Sequence, residues 1–125
     1  MRLPLSIPIL VRNVKVKGPK GIVWVDLVLD TGAAFVALPW PILKTIGYDP
    51  ASVPERQEII TANGVIEVPK LRIESVTIGD AEVRDVEIIC HDIPELAGLR
   101  GLLGLSFLKH FKTVIDYRTG YLEIS

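Results

Sequence analysis

Cysteine and histidine are scarce in this chain of 125 residues, which has one cysteine, Cys90, and two histidines. A single cysteine forms no disulfide within the chain, which is typical of a reducing compartment, so we expect a cytoplasmic protein. So few thiol and imidazole groups, without a tight cluster, predict no metal site. Residues 98–101, Gly-Leu-Arg-Gly, lack the spacing of a dinucleotide or phosphate loop, and we expect no cofactor.

Long hydrophobic runs and an excess of one charge are missing as well. Although 49% of the residues are hydrophobic, no run approaches the ~18 apolar residues of a membrane-spanning helix. The 14 basic and 15 acidic residues are interspersed and give a net charge of -1, which favours neither nucleic acid nor an anionic membrane as a partner. Two prolines interrupt residues 1–8, which we interpret as a first strand rather than a signal peptide.

Segments with strand character dominate what the chain does contain. Breaker-rich turns separate them and predict three hairpins. The predicted strands are 5–16 with 22–30, 70–78 with 82–90, and 113–117 with 121–124. Short helices are predicted at 41–47, between a proline and a glycine, and within 101–111. The predicted fold class is therefore all-β with one or two short helices, as a small closed β-barrel, in one domain spanning residues 1–125.

The triplet Asp30-Thr31-Gly32 follows the apolar run 22–29, precedes Ala33 and occurs once in the chain. A strand that ends in a sharp turn presents the aspartate at the mouth of a sheet, where Gly32 can adopt backbone angles that a residue with a Cβ resists. Thr31 adds a hydroxyl that can tie neighbouring backbone together. A plain Asx-type turn at a strand end is the alternative interpretation. A carboxylate placed in this way suits general acid-base catalysis.

Other pairs of reactive residues are less favoured. Asp26 and Asp30 are four apart, whereas phosphotransfer enzymes of the haloacid type need carboxylates two apart. Cys90 and His91 are adjacent on a predicted strand, so their side chains point to opposite faces, and we expect a buried structural cysteine beside a surface histidine. Residues 104–108 lack the last glycine of a hydrolase nucleophile elbow.

A further hairpin is predicted where Asn63-Gly64 separates two apolar stretches. Both residues tolerate positive φ, which a type I′ turn requires. The hairpin is either an ordinary surface feature or, since it follows Asp30 by about thirty residues, a flap that covers a substrate. The flap interpretation makes Thr61, Ala62, Asn63 and Gly64 candidate substrate-binding residues.

The segment Leu102-Leu103-Gly104 precedes the second predicted helix and completes a series of three motifs. The order of the aspartate triplet, residues 61–64 and this apolar pair with glycine resembles the single-lobed retropepsin-like aspartic proteases, the retroviral type and its prokaryotic relatives. The resemblance extends from about residue 5 to the end of the chain. It implies that Leu102, Leu103 and Gly104 pack beneath the catalytic loop.

The resemblance implies an aspartic endopeptidase that acts as a homodimer, with one Asp30 from each subunit at a shared site. Pepsin-like enzymes hold both carboxylates in one chain by duplicating a lobe, whereas this chain has the length of one lobe. Thr31 would reach across to the other subunit, while Gly32 and Ala33 keep the loop slim. The apolar chain ends, residues 3–5 and 122–124, would supply strand edges for the dimer.

The expected partners are a second copy of the chain and a peptide or unfolded protein substrate. The alternative is a catalytically silent module of the same fold that dimerises or holds a peptide in its groove.

Overall fold

The computed structural model describes residues 1–92 and 101–125. Within these ranges the chain forms ten strands and two short helices, which confirms the predicted all-β class. Neither helix is long and apolar enough to cross a membrane, among the residues described. The elements are β1 (Arg2–Pro4), β2 (Leu10–Gly18), β3 (Gly21–Leu29), β4 (Val36–Leu38), α1 (Trp40–Thr45), β5 (Arg56–Thr61), β6 (Gly64–Ile78), β7 (Ala81–Cys90), β8 (Leu102–Leu103), α2 (Leu105–Leu108), β9 (Thr113–Asp116) and β10 (Tyr121–Ile124).

Seven strands form the main sheet in the order β2-β3-β8-β4-β7-β6-β5. An additional antiparallel pairing of β2 with β6, which places Val16 opposite Val76, joins the strands from β2 to β6 into a closed ring. The predicted hairpins β2–β3 and β6–β7 are confirmed, and their tight turns fall at residues 19–20 and 79–80. Among the described strands, β5 pairs with β6 and with no other, so the β5–β6 hairpin extends beyond the ring.

The interior of the ring is filled by aliphatic side chains and closed by α2. Val14 and Val16 of β2 are fully buried at alternate positions, as the period of a strand requires. Phe107 of α2 is also fully buried, and its ring centroid lies 5.0 Å from that of Phe111. The short helix predicted within residues 101–111 is therefore confirmed, and it spans Leu105–Leu108. A second, smaller cluster centres on Ala37, Val68 and Ile89.

The predicted first strand over residues 5–16 is wrong at its start, because the chain turns before Leu10. The Ser6 hydroxyl donates to the Pro8 carbonyl at 2.7 Å and accepts from the Leu10 amide at 3.1 Å. These two bonds satisfy the backbone locally and compete with a strand ladder.

The two chain ends pair with each other in a three-stranded sheet of order β1-β10-β9. Leu3 lies opposite Leu122, and both Leu122 and Ile124 are 1% exposed. The expectation that residues 122–124 offer a free apolar edge is therefore wrong. Strand β10 is central, with both edges occupied within the chain, and its apolar side chains belong to the core.

Strand β8 is the element that the sequence did not predict. It runs parallel to β3, with Leu103 opposite Leu29, and antiparallel to β4, with Leu102 opposite Ala37. It therefore lies between two strands that are joined by the loop containing Asp30. Two residues are too few for a period-2 pattern, which is why the segment could be interpreted only as the approach to a helix.

Gly104 ends β8 at a position where the backbone of the loop passes very close. A Cβ at residue 104 would lie 2.2 Å from the carbonyl oxygen of Phe35 and 2.8 Å from that of Ala33. Real Cβ atoms do not approach backbone so closely, so the loop would have to move. The glycine of the apolar-glycine motif is thus required by a close approach between two backbone segments.

Gly104→Ala should therefore destabilise the protein by about 3 kcal/mol, at the upper end of the cost of overpacking a core, as measured by urea unfolding. Gly120→Ala is the matched control, because a Cβ there meets nothing within 4 Å and only the positive φ of 78° is strained. The control should lose about 1–2 kcal/mol, the usual cost of that backbone conformation. Equal losses in the two variants would contradict the close-approach explanation.

Candidate active site

The loop between β3 and β4 fixes the Asp30 carboxyl group through short hydrogen bonds. The Gly32 amide donates to Asp30 Oδ1 at 2.9 Å, and the Ala33 amide donates to the Asp30 carbonyl at 3.2 Å. The Asx-type turn is therefore present, and it is the device that orients the carboxylate. Gly32 does not have positive φ, contrary to the sequence-based expectation. Its role here is a close approach, since a Cβ on it would lie 3.3 Å from Asp30 Oδ1.

Strand β8 and the start of α2 hold this loop from beneath. The Asp30 amide donates to the Leu103 carbonyl at 3.1 Å, and the Leu105 amide donates to the Ala33 carbonyl at 2.8 Å. At the far end of the loop, the buried Ser106 hydroxyl accepts a 2.8 Å hydrogen bond from the Val36 amide. Ser106 was missed from the sequence because its partner is seventy residues away. The loop is thus anchored at its beginning, middle and end.

Asp30 opens onto a cleft with a volume of about 470 Å³. The floor is largely apolar and includes Phe35, Ile89 and Leu102, while the β5 strand forms one wall. The polar lining residues include Gln57, Glu58, Thr61 and His91. A concave apolar surface with a few polar groups is typical of a ligand-binding site.

The structure brings some of the candidate residues to this cleft and leaves others outside it. Five line it, namely Asp30, Gly32, Ala33, Thr61 and Leu102. Thr31 is exposed on the loop, and Leu103 and Gly104 are buried behind it. Three lie exposed at the tip of the β5–β6 hairpin, namely Ala62, Asn63 and Gly64.

The turn of the β5–β6 hairpin is shifted by one residue from the predicted one. Thr61 pairs with Gly64, so residues 62 and 63 form the turn, and Gly64 alone of these four has positive φ, at 114°. The Thr61 hydroxyl accepts from the Asn63 amide at 3.2 Å and donates to the Gly64 carbonyl at 3.0 Å. The prediction of a type I′ turn centred on Asn63-Gly64 is wrong, because the threonine side chain stabilises a different turn.

The base of the same hairpin is fastened by Lys70 on β6. Its ammonium nitrogen lies 2.9 Å from Glu87 Oε2 and 3.8 Å from Glu55 Oε2, and it sits 4.9 Å from the centroid of the Phe35 ring. The hydrogen bond from Lys70 lowers the pKa of Glu87, and the same bond raises the pKa of Lys70. Since Phe35 lines the cleft, this ion pair connects the hairpin base to the Asp30 loop.

Cys90 and His91 lie at the end of β7 and face opposite sides, as predicted. Cys90 is buried in the core, and desolvation raises the pKa of its thiol to about 11, so it is a poor nucleophile. His91 is half-buried and lines the cleft, so the expected surface histidine lies at this site. Its parity with Ile89, which also lines the cleft, is the sequence signal that could have placed it there.

Asp26, the other carboxylate on β3, is occupied elsewhere. Its Oδ1 accepts a hydrogen bond from the Asn13 amide at 3.0 Å, and its Oδ2 lies 3.5 Å from an Arg12 guanidinium nitrogen. It stabilises the irregularity between Val11 and Val14 in the β2–β3 ladder. Within residues 1–92 and 101–125, no group of three or more Cys, His, Asp or Glu side chains is placed to hold a metal ion.

Comparisons with known proteins agree with this geometry. Residues 13–110 match the family described as "gag-polyprotein putative aspartyl protease". The chain is 28% identical over 100 residues to a Sinorhizobium sp. protein described as an "uncharacterized protein in cobV 5′region", covering 80% of this chain but only 42% of that protein. The structure superposes on a retropepsin-like aspartic protease from Rickettsia conorii with a TM-score of 0.71 and 23% identity, over 100% of this chain and 97% of that one. The fold is thus retropepsin-like.

The Lys70–Glu87 pair should make stability depend on pH. Because the pKa of Glu87 is lowered in the folded protein, the pair stabilises the protein above the ordinary glutamate pKa of about 4.3 and is lost as the pH falls through the lower, folded value. The wild type should therefore have a higher urea midpoint than Glu87→Gln at pH 6.5, and this gap should close below about pH 4.

Glu82→Gln is the control for this measurement. The Glu82–Arg84 pair is more exposed, with side-chain exposures of 42% and 82% against 28% and 19% for Glu87 and Lys70. Solvent screening weakens such pairs, so the control should show a smaller gap. A difference in urea midpoint between the wild type and Glu87→Gln that does not change with pH would contradict the ion-pair explanation.

Proposed function

Because the chain belongs to the gag-polyprotein putative aspartyl protease family, we propose that it is an aspartic endopeptidase that acts as a homodimer. The observation that carries this proposal is the Asp30 carboxyl group, which is oriented by its own turn and opens onto an apolar cleft. Among the described residues that line the cleft, Asp30 is the one aspartate, whereas peptide hydrolysis by this chemistry uses two. A second copy of the chain supplies the other.

The chemistry follows from bringing two carboxyl groups within a few ångströms of each other. Both cannot ionise at low free-energy cost, so one keeps its proton and the pair titrates as a unit. The ionised Asp30 removes a proton from a water molecule as its oxygen attacks the scissile carbonyl carbon. The protonated Asp30 of the other subunit donates a hydrogen bond to the carbonyl oxygen. The Asp30 that took the proton from water then gives that proton to the leaving nitrogen as the C–N bond breaks.

The loop geometry supports this role for Asp30. The Gly32 amide donates to Oδ1, and within residues 1–92 and 101–125 no hydrogen bond reaches the second oxygen, which we take as the one that meets water or the partner carboxyl group. Thr31, exposed beside it, is the residue that reaches across to the partner loop. Gly104 and Ser106 act as positioning residues, since they hold the backbone of the loop and lie behind it.

The β5–β6 hairpin serves as the flap in this proposal. Ile60 and Val65 lie directly opposite each other near its tip, with 88% and 61% of their surfaces exposed. An apolar pair this exposed becomes covered when the hairpin closes over an extended peptide in the cleft. Substrates are therefore extended peptides or unfolded segments, whose backbone can lie between the hairpin and the Asp30 loop.

Asp30→Asn should lower kcat/KM for peptide cleavage by at least ~10²-fold, the typical contribution of a general acid-base group. Asparagine keeps an oxygen acceptor for the Gly32 amide, so the turn is preserved and the loss reports on chemistry. The measurement is cleavage of a mixed peptide library between pH 4 and 7.5, analysed by mass spectrometry.

Asp26→Asn is the matched control, since Asp26 lies on β3 four residues before Asp30 and is not among the residues that line the cleft. This variant should cleave as the wild type does. Equal cleavage by wild type and Asp30→Asn would exclude the proposed chemistry. Peptide binding without cleavage by any of the three proteins would favour the silent peptide-binding module instead.

A further inference from the structure

His91 lies on the wall of the cleft, and hydrogen bonds hold its backbone in place. Ile89 and His91 share the face of β7 that lines the cleft, while Cys90 between them is buried in the core. The His91 amide donates to the Leu38 carbonyl at 3.1 Å, which continues the ladder between β4 and β7. The next residue is held too, because Asp92 Oδ1 accepts a 3.2 Å hydrogen bond from the Trp40 amide.

The charged groups at the cleft and its border are of both signs, because Lys70 on β6 pairs with Glu87 and lies 4.9 Å from the centroid of the cleft-lining Phe35 ring. Asp30 at the loop and Glu58 on β5 line the same cleft, and Asp92 adjoins His91 in sequence with its Oδ1 bonded to Trp40. The neighbouring strands β4 and β8 carry only apolar residues, Val-Ala-Leu and Leu-Leu. Among the described residues that line the cleft, His91 is the one basic side chain.

We propose that His91 determines specificity by selecting peptides that carry a carboxylate side chain at the position beside it. A charged imidazole attracts a carboxylate side chain but gains much less from the neutral amide of glutamine. Where His91 carries that charge, the cleft favours glutamate over glutamine. This inference rests on the proposed function, since it concerns the same cleft, but it concerns binding and can be measured without cleavage.

The test uses the Asp30→Asn protein, which removes both titrating carboxyl groups of the proposed site. Two pools of fluorescent decapeptides are bound to it, one with a fixed glutamate and one with a fixed glutamine, at each position in turn. At one or two positions the glutamate pool should bind about two- to fivefold more tightly at pH 5.5, a range typical of a partly exposed ion pair, and equally at pH 8.

Substitution of His91 tests whether this residue causes the preference for glutamate. His91→Gln or His91→Asn, each added to Asp30→Asn, should abolish the preference at pH 5.5, with unfolding midpoints measured to confirm that both variants are folded. His110→Gln is the matched control and should keep it, because His110 is exposed just beyond α2 and does not line the cleft. Glu58→Gln, added to Asp30→Asn, should also retain the preference for glutamate. This result would show that His91 contacts the peptide and does not act through Glu58.

The inference is overturned if the two pools bind equally at pH 5.5, or if the preference survives in folded His91 variants. It is also overturned if Glu58→Gln removes the preference as fully as His91→Gln does. Cleavage of the same pools by the wild type is measured separately. A preference for glutamate that depends on His91, without any cleavage, would support this inference and contradict the proposed function. Cleavage without a preference for glutamate would support the proposed function and overturn this inference.

Discussion

The geometry of the Asp30 loop and its cleft depends on one constraint, which is the insertion of β8 between β3 and β4. These two strands are consecutive in the sequence, and the loop that joins them must pass over the strand that separates them. The close approach at Gly104 and the hydrogen bonds that Leu103 and Ser106 accept from the loop are consequences of that crossing. A short loop held by backbone bonds at several points has little freedom, so the Asp30 carboxyl group has a defined direction. Preorganisation of this kind is what a catalytic group requires.

The same insertion explains why the cleft lies where it does. Ala37 on β4 and Leu102 on β8 form part of its floor, and Ile89 on β7 extends that floor toward His91. Strand β5 lines one side of the cleft and, among the described strands, pairs with β6. Lys70 lies between Glu87 and the Phe35 ring, so the base of the β5–β6 hairpin contacts the Asp30 loop. The position of β8 in the sheet thus determines where the loop and the floor of the cleft lie.

Local patterns in the sequence predicted the features that depend on local physics. Hairpins with tight, breaker-rich turns, the helix between Pro41 and Gly47, and the Asp30 turn are all of this kind. The features that were missed depend on contacts between distant residues. Strand β8 is too short for a periodic pattern, Ser106 bonds to a residue seventy positions away, and the edge expected to be free at residues 122–124 is occupied by β1 and β9. The turn at residues 62–63 was misplaced because a side chain, that of Thr61, outweighed the backbone preference of Asn-Gly.

The central claim is that each chain carries half of an active site, and mixing two kinds of subunit tests it most directly. Wild type at a fixed concentration is allowed to exchange subunits with an equal amount of Asp30→Asn protein, and peptide cleavage is measured at equilibrium. Random pairing leaves about half of the wild-type subunits in wild-type dimers, so activity should fall to about one half and continue to fall as more variant is added. Activity that stays constant at every ratio, with mixed dimers present by native mass spectrometry, would contradict a shared site.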